Sequence, residues 1–178
     1  MKGVLFNVVE DVVTAALGHD TWDDVVETSG VSGAYTSLGN YPDGELVAIV
    51  VALSEKLSLS VDDTLRLAGR LGFEPLASRA PELLSSCPDW RSVLTSLDDI
   101  IHPEVLKIYP DSDVPRFSVV DGDDAVTVHY SSERGMCALA DGLLVGCGAW
   151  YSAELEVEHV TCVHRGDDTC TMRVSEAS

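Results

Sequence analysis

The segment His129-Tyr-Ser-Ser-Glu-Arg-Gly135 carries a phenol, a hydroxyl and a guanidinium at alternate positions, Tyr130, Ser132 and Arg134. In an extended segment such residues share one face. Together they suit one or two carboxylates, with the arginine supplying charge and a planar fork. A polar strand face without a ligand fits the same pattern. A second group is His102, which follows Asp98-Asp99-Ile100-Ile101 and precedes Pro103. Proline cannot continue a helical hydrogen-bond ladder, so a kink or restart is expected here. That would swing His102 off the helix seam. By itself it reads equally as a histidine at a helix end.

Taken together, an anion-binding trio, a spare imidazole and an apolar helical half suit heme. Heme is an apolar disc with two propionates and an iron that needs an axial ligand. A further constellation lies at the C-terminus, where His159-x2-Cys162 and Cys170 flank a turn and Cys137 sits upstream. Three thiolates and an imidazole form a good tetrahedral zinc set. His164 could replace His159, and buried reduced cysteines are the alternative without metal. Cys87 and Cys147 have no evident partner. Cys147 reads as core of an Ala/Gly-rich helix and Cys87 as loop.

The elements that must position these groups fall into two kinds. Residues 1 to about 110 read as helices. Lys2–Leu17 is amphipathic, Asp20–Thr28 is short, and Gly44–Leu57 is apolar enough to be fully buried. Ser60–Gly72 opens on a serine cap with Asp63 at the third helical position and closes on its glycine. Trp90–Tyr109 reads as one helix with Leu94, Leu97, Ile101, Val105 and Ile108 as its core seam. From Pro110 the period changes to two. Arg116–Val120 and Ala125–Tyr130 alternate around Asp-Gly-Asp-Asp, a hairpin. Gly135–Tyr151 returns to helix, and Glu154–His164 with Thr169–Val174 form a second hairpin. The fold class is α+β, one domain over 1–178. A helical lobe is followed by a lobe with a four-stranded antiparallel sheet and a helix.

The chain has 178 residues, 46% of them apolar, and a net charge of −19. Such a surface repels nucleic acid and anionic lipid, because binding phosphate needs clustered Lys and Arg. No apolar run reaches the length of a membrane span, and the N-terminal segment meets acidic Glu10 and Asp11 early, unlike a signal peptide. A cytoplasmic location is expected. Five cysteines without a secretion signal argue against a disulfide framework. No acid/base pair or nucleophile constellation indicates an enzyme.

The sequence resembles the heme-nitric oxide/oxygen-binding (H-NOX) domain family over essentially its whole length. The resemblance rests on Met1-Lys2-Gly3-Val4, on Leu97-Asp98-Asp99-Ile100-Ile101-His102 with Val105 and Tyr109-Pro110, on Val114-Pro115-Arg116, and on Tyr130-x-Ser132-x-Arg134. It implies heme b held between the lobes, with His102 as the proximal iron ligand. Tyr130, Ser132 and Arg134 would hold the propionates and Pro115 would pack on the heme. Counting without gaps from Arg134, the resemblance implies Leu139 as the distal position on the following helix, with Val9 on the first helix and Gly72 near the end of the fourth, none of which can donate a side-chain hydrogen bond. Bound dioxygen gains from a donor, whereas nitric oxide and carbon monoxide gain much less, so a sensor of nitric oxide is implied. Its partner would be a separate effector, a histidine kinase or a cyclic-di-GMP enzyme. The Cys137, His159, Cys162 and Cys170 set also resembles a zinc site of some members. Two alternatives stay open: a zinc/cysteine redox sensor with heme secondary, and a heme carrier without signalling.

Overall fold

The computed structural model describes residues 1–177. Four helices come first: α1 (Gly3–Leu17), α2 (His19–Ser29), α3 (Asp43–Leu57) and α4 (Val61–Ser78). Then come α5 (Trp90–Thr95), α6 (His102–Ile108), β1 (Arg116–Asp121), β2 (Val126–Ser131), α7 (Cys137–Trp150), β3 (Leu155–Thr161) and β4 (Cys170–Glu176). The four strands form one antiparallel sheet in the order β1-β2-β4-β3. This is the expected α+β architecture. No helix among the described residues is long and apolar enough to cross a membrane.

Several boundaries differ from the sequence reading. The α4 cap is as expected, with Ser60 Oγ accepting the Asp63 amide at 3.0 Å. The helix does not stop at Gly72, however, but runs on through Pro75 to Ser78. Proline there costs one ladder bond, and packing on α7 outweighs the local preference. The single helix expected over Trp90–Tyr109 is broken into α5, a wide π-type turn at Leu97–Ile101, and α6. The Ile101 amide reaches back five residues to the Ser96 carbonyl at 2.9 Å. Widening of the turn makes room for the ring of Pro103 two residues later, which a regular ladder would meet. Of the expected seam, Leu94 and Ile101 are buried while Ile108 is 45% exposed. Nor is α3 buried all round. Leu46, Ile49 and Leu53 face inward, while Val47 and Val51 are exposed. β3 ends at Thr161 rather than His164, because a register shift at His159/Thr161 leads into a 3-10 turn at Val163–Arg165.

Two apolar cores result. One joins α1, α2 and α3 around Phe6, Trp22, Ile49 and Leu53. The other packs α5 and α7 on the sheet around Trp90, Leu94, Leu144, Val128, Met172 and Val174. β2 shows the expected alternation, with Val126, Val128 and Tyr130 buried and His129 and Ser131 exposed. α4 and α7 join these cores by backbone contact. A Cβ on Gly69 would lie 2.4 Å from the Leu139 carbonyl oxygen, and one on Gly142 2.1 Å from that of Arg66. Gly142→Ala is therefore expected to destabilise the fold. Alanine is the better helix former by about 1 kcal/mol, but overpacking that cannot relax costs ~1–3 kcal/mol or more. A thermal melt should show a lower midpoint, and an unchanged midpoint would show that the two helices are free to separate.

Candidate functional site

A cavity of about 440 Å³ lies between the helices and the sheet. Its walls are mostly apolar. α1 contributes Val4 and Leu5, α4 Phe73, Leu76 and Ala77, and α7 Leu139, Ala140, Leu143, Leu144 and Cys147. His102, Pro115, Tyr130, Ser132 and Arg134 all line the same space. Residues from three separate segments, chosen on sequence alone, therefore meet around one hollow.

The restart at Pro103 places His102 at the first position of α6, with only 15% of its side chain exposed. Its Nδ1 lies 3.1 Å from Asp98 Oδ1. The other Asp98 oxygen accepts the Phe117 backbone N–H at 2.8 Å. Asp98 thus fixes the imidazole to β1 and commits Nδ1, which leaves Nε2 for a ligand. Burial pushes the His102 pKa below its ordinary value, and Asp98 opposes this in part. A neutral imidazole is the form that binds a metal.

Tyr130 sits in β2 with its ring edge-on to Phe117. Burial pushes its phenol above the ordinary value, against the hydrogen bond from Ser132, so it remains a donor. The motif is not one extended face, as alternation implied. β2 ends at Ser131 and a turn follows, with the Gly135 amide bonded to the Ser132 carbonyl at 3.2 Å. Gly135 adopts a left-handed φ of 61°, a conformation that costs glycine little. The turn still directs all three side chains to the cavity.

Arg134 is anchored by residues that the sequence did not mark. Its Nε bonds Asp43 Oδ2 at 2.7 Å and its Nη1 bonds the Asp113 carbonyl at 2.6 Å. Asp43 also pairs with the Met1 ammonium at 2.8 Å. Burial pushes Asp43 up, but the ammonium and Arg134 outweigh it and hold the carboxyl below its ordinary value. Two of the three Arg134 nitrogens are thereby fixed and Nη2 remains for an anion. Apolar walls, a neutral imidazole with a free nitrogen, and a fixed cation beside two hydroxyls together fit heme.

Leu139 lines the cavity, but Val9 and Gly72 do not. Val9 packs on the N-terminal helical core. Gly72 lies under Val8, whose Cγ1 is 3.1 Å from where a Cβ would stand. Leu5, Phe73, Leu76 and Leu143 line the cavity with Leu139. Tyr35, in the loop between α2 and α3, donates to Glu45 at 2.9 Å and stacks on Phe6.

The cysteines divide into two groups. Cys137, Cys162 and Cys170 bring their sulfurs within 4.8 Å of one another, all buried, with Cys137 and Cys162 3.6 Å apart. Burial pushes Cys137 up. It also pushes on Cys162, but the His164 backbone N–H and the neighbouring thiols outweigh it and hold Cys162 below its ordinary value. His159 does not lie within that cluster. Its Nε2 contacts Asp141 Oδ2 at 3.1 Å, while its side chain also interacts with Cys162. His164 is turned away, with Nε2 bonded to the Gly135 carbonyl at 2.6 Å. Cys147 is not only core but lines the cavity, its thiol pushed up to about 12 by burial.

Of the residues that sequence reasoning missed, Asp98 had a signal. It stands four positions before His102, on the same helix face. Asp43, Asp113, Asp141 and Arg66 had none, because their partners are far away in sequence.

The family model described as Haem-NO-binding matches residues 2–159. No curated protein matches the sequence. Among solved structures, the H-NOX protein of S. oneidensis in the Fe(II)NO ligation state is similar at 30% identity, with a TM-score of 0.93 and 100% of each chain covered. The H-NOX domain from Shewanella oneidensis in the Fe(II)CO state matches at 30% identity and a TM-score of 0.90, covering 100% of this chain and 99% of that one. The unliganded Fe(II) H-NOX protein from K. algicida matches at 27% identity and a TM-score of 0.84, covering 100% and 97%. A family model spanning nearly the whole chain, together with this fold, makes the conclusion plain: the chain belongs to the Haem-NO-binding (H-NOX) family.

Proposed function

We propose that the protein is a heme-based sensor of nitric oxide, also binding carbon monoxide, and not an enzyme. The observation that carries this reading is the shared cavity, where His102 offers Nε2 and Arg134 stands with Tyr130 and Ser132. Heme b would supply a ferrous iron able to take a diatomic gas. His102 would be its protein ligand, with the trio on the propionates and Pro115 against the ring. Relatives in Fe(II)NO and Fe(II)CO ligation states support the choice of gases.

The protein's own part lies in what His102 is tied to. Through Asp98 it is bonded to the Phe117 amide of β1. A change in the pull on Nε2 therefore reaches both α6 and the sheet. The π-type turn before His102 is a point where α6 can shift without breaking a regular ladder. The readout would be a separate effector, a histidine kinase or a cyclic-di-GMP enzyme.

Gas choice follows from the walls. The residues that α1, α4 and α7 contribute carry no side-chain donor except the weak S–H of Cys147. Ferrous protein is expected to take up nitric oxide and carbon monoxide and to form no stable dioxygen complex in air. Absorption spectra under each gas test this. Leu139→Tyr supplies a phenol to the cavity and is expected to prolong any oxy spectrum. A stable oxy complex in the unaltered protein would overturn the selectivity, and protein that takes up no heme would overturn the whole reading.

The three clustered thiols favour a second occupant. Cys137, Cys162 and Cys170, with His159 as fourth ligand, would hold one zinc ion. Such a closed site is structural or redox-responsive. It would pin the start of α7 to the last hairpin, and loss of zinc on oxidation would make the protein a redox sensor as well.

A further inference from the structure

Asp141 is a carboxylate in a place where carboxylates are rare. It is 7% exposed, on α7, outside the cavity. Burying an unpaired carboxylate is expensive, so its partners should say what it is for. Oδ2 takes both Arg66 Nε at 2.9 Å and His159 Nε2 at 3.1 Å. Arg66, from α4, goes on to Asp63 at 2.9 Å. Arg66 neutralises Asp141, so the carboxylate can stay charged while it accepts from a histidine.

The spacing places this network beside the thiols. Asp141 lies four residues after Cys137 on α7, so the two share a helix face. His159 lies three residues before Cys162, at the irregular end of β3. Gly142 lets the Arg66 backbone approach so closely that a Cβ would stand 2.1 Å from its oxygen, which brings the guanidinium within reach. His159 Nε2 is committed to Asp141, so Nδ1 is the nitrogen left for the cluster. Histidines that bind metals commonly donate their other N–H to a carboxylate, which fixes tautomer and ring orientation.

We infer that Asp141 is the positioning carboxylate of the thiol centre, holding His159 by Nε2–H so that Nδ1 faces Cys137, Cys162 and Cys170, and tying the centre to α4 through Arg66. This rests on the zinc reading proposed above. It makes the fourth position of the site depend on a residue from α7 and, through Arg66, on the helix that walls the gas cavity.

The test uses the full chain purified under reducing conditions with zinc supplied. Zinc transfer to a chromogenic chelator is timed for the wild type, Asp141→Asn, His159→Ala and the double variant. Asp141→Asn is expected to release zinc ~10–100-fold faster. The double variant should be no faster than His159→Ala alone, because Asp141 acts through the histidine. Cobalt(II) in place of zinc adds a signature: Asp141→Asn should keep the absorption bands of a three-sulfur, one-nitrogen site, whereas His159→Ala should not. Nitrogen-15 spectra of the zinc-loaded wild type should show His159 protonated at Nε2, a readout independent of any variant. Unchanged release in Asp141→Asn, additive effects in the double variant, or a proton on Nδ1 would overturn the role of Asp141 while leaving zinc in place. A wild type that holds no zinc would overturn the zinc reading, and the inference with it.

Discussion

His102→Gly is expected to strip the cavity of its iron ligand and leave protein that retains heme poorly. The substitution removes the imidazole whose Nε2 is free, while Asp98 keeps its bond to the Phe117 amide, so the local backbone need not collapse. The space vacated is the size of the lost ring. Added imidazole can occupy it and restore ligation. Retention should fall at least ~10-fold, the equivalent of about 1.4 kcal/mol, and recover with imidazole. Heme-to-protein ratio and Soret position, with and without imidazole, check this. An unchanged spectrum and heme content would show that His102 is not the ligand.

Arg134→Ala is expected to be the second largest change. It removes the cation beside Tyr130 and Ser132 and leaves Asp43 with the Met1 ammonium and Asp113 with no guanidinium. Hydrogen bonds to charged groups contribute about 1.5–3 kcal/mol, against about 0.5–1.5 kcal/mol for neutral ones. Heme loss should therefore accelerate ~10–150-fold in Arg134→Ala, and clearly less in Ser132→Ala. The removed arginine also exposes two carboxylates to a dianionic ligand, which adds repulsion in the same direction. Transfer of heme to apomyoglobin gives both rates, and equal rates in the two variants would count against a propionate role for Arg134.

These residues were legible because each carries a local signal. His102 stands before a proline, which removes a ladder bond and here coincides with a helix restart, although α4 runs through Pro75 where packing outweighs the same local cost. Tyr130, Ser132 and Arg134 follow a strand whose alternation is written in Val126, Val128 and Tyr130. Ser60 caps α4 through its own side chain, and the two turns rich in glycine and aspartate mark both hairpins. The alternation, the cap and the proline act within a few residues, so sequence order preserves them. The cysteine cluster was legible for a related reason: Cys162 and Cys170 flank one turn, and Cys137 opens the helix before it.

What the tertiary structure decided is everything that depends on a distant partner. α4 runs past Gly72 and through Pro75 because packing on α7, with Gly69 and Gly142 in backbone contact, outweighs a local stop signal. Leu5, Phe73, Leu76 and Leu143 come from three helices to line one cavity, and Gly72 sits under Val8 where α1 meets α4. Arg134 is fixed by Asp43, 91 residues away, and Asp141 is bonded to Arg66, 75 residues away. No periodicity or cap encodes such pairs. They form when folding buries charges that must then find each other, since a buried charge without a partner costs more than the fold can spare.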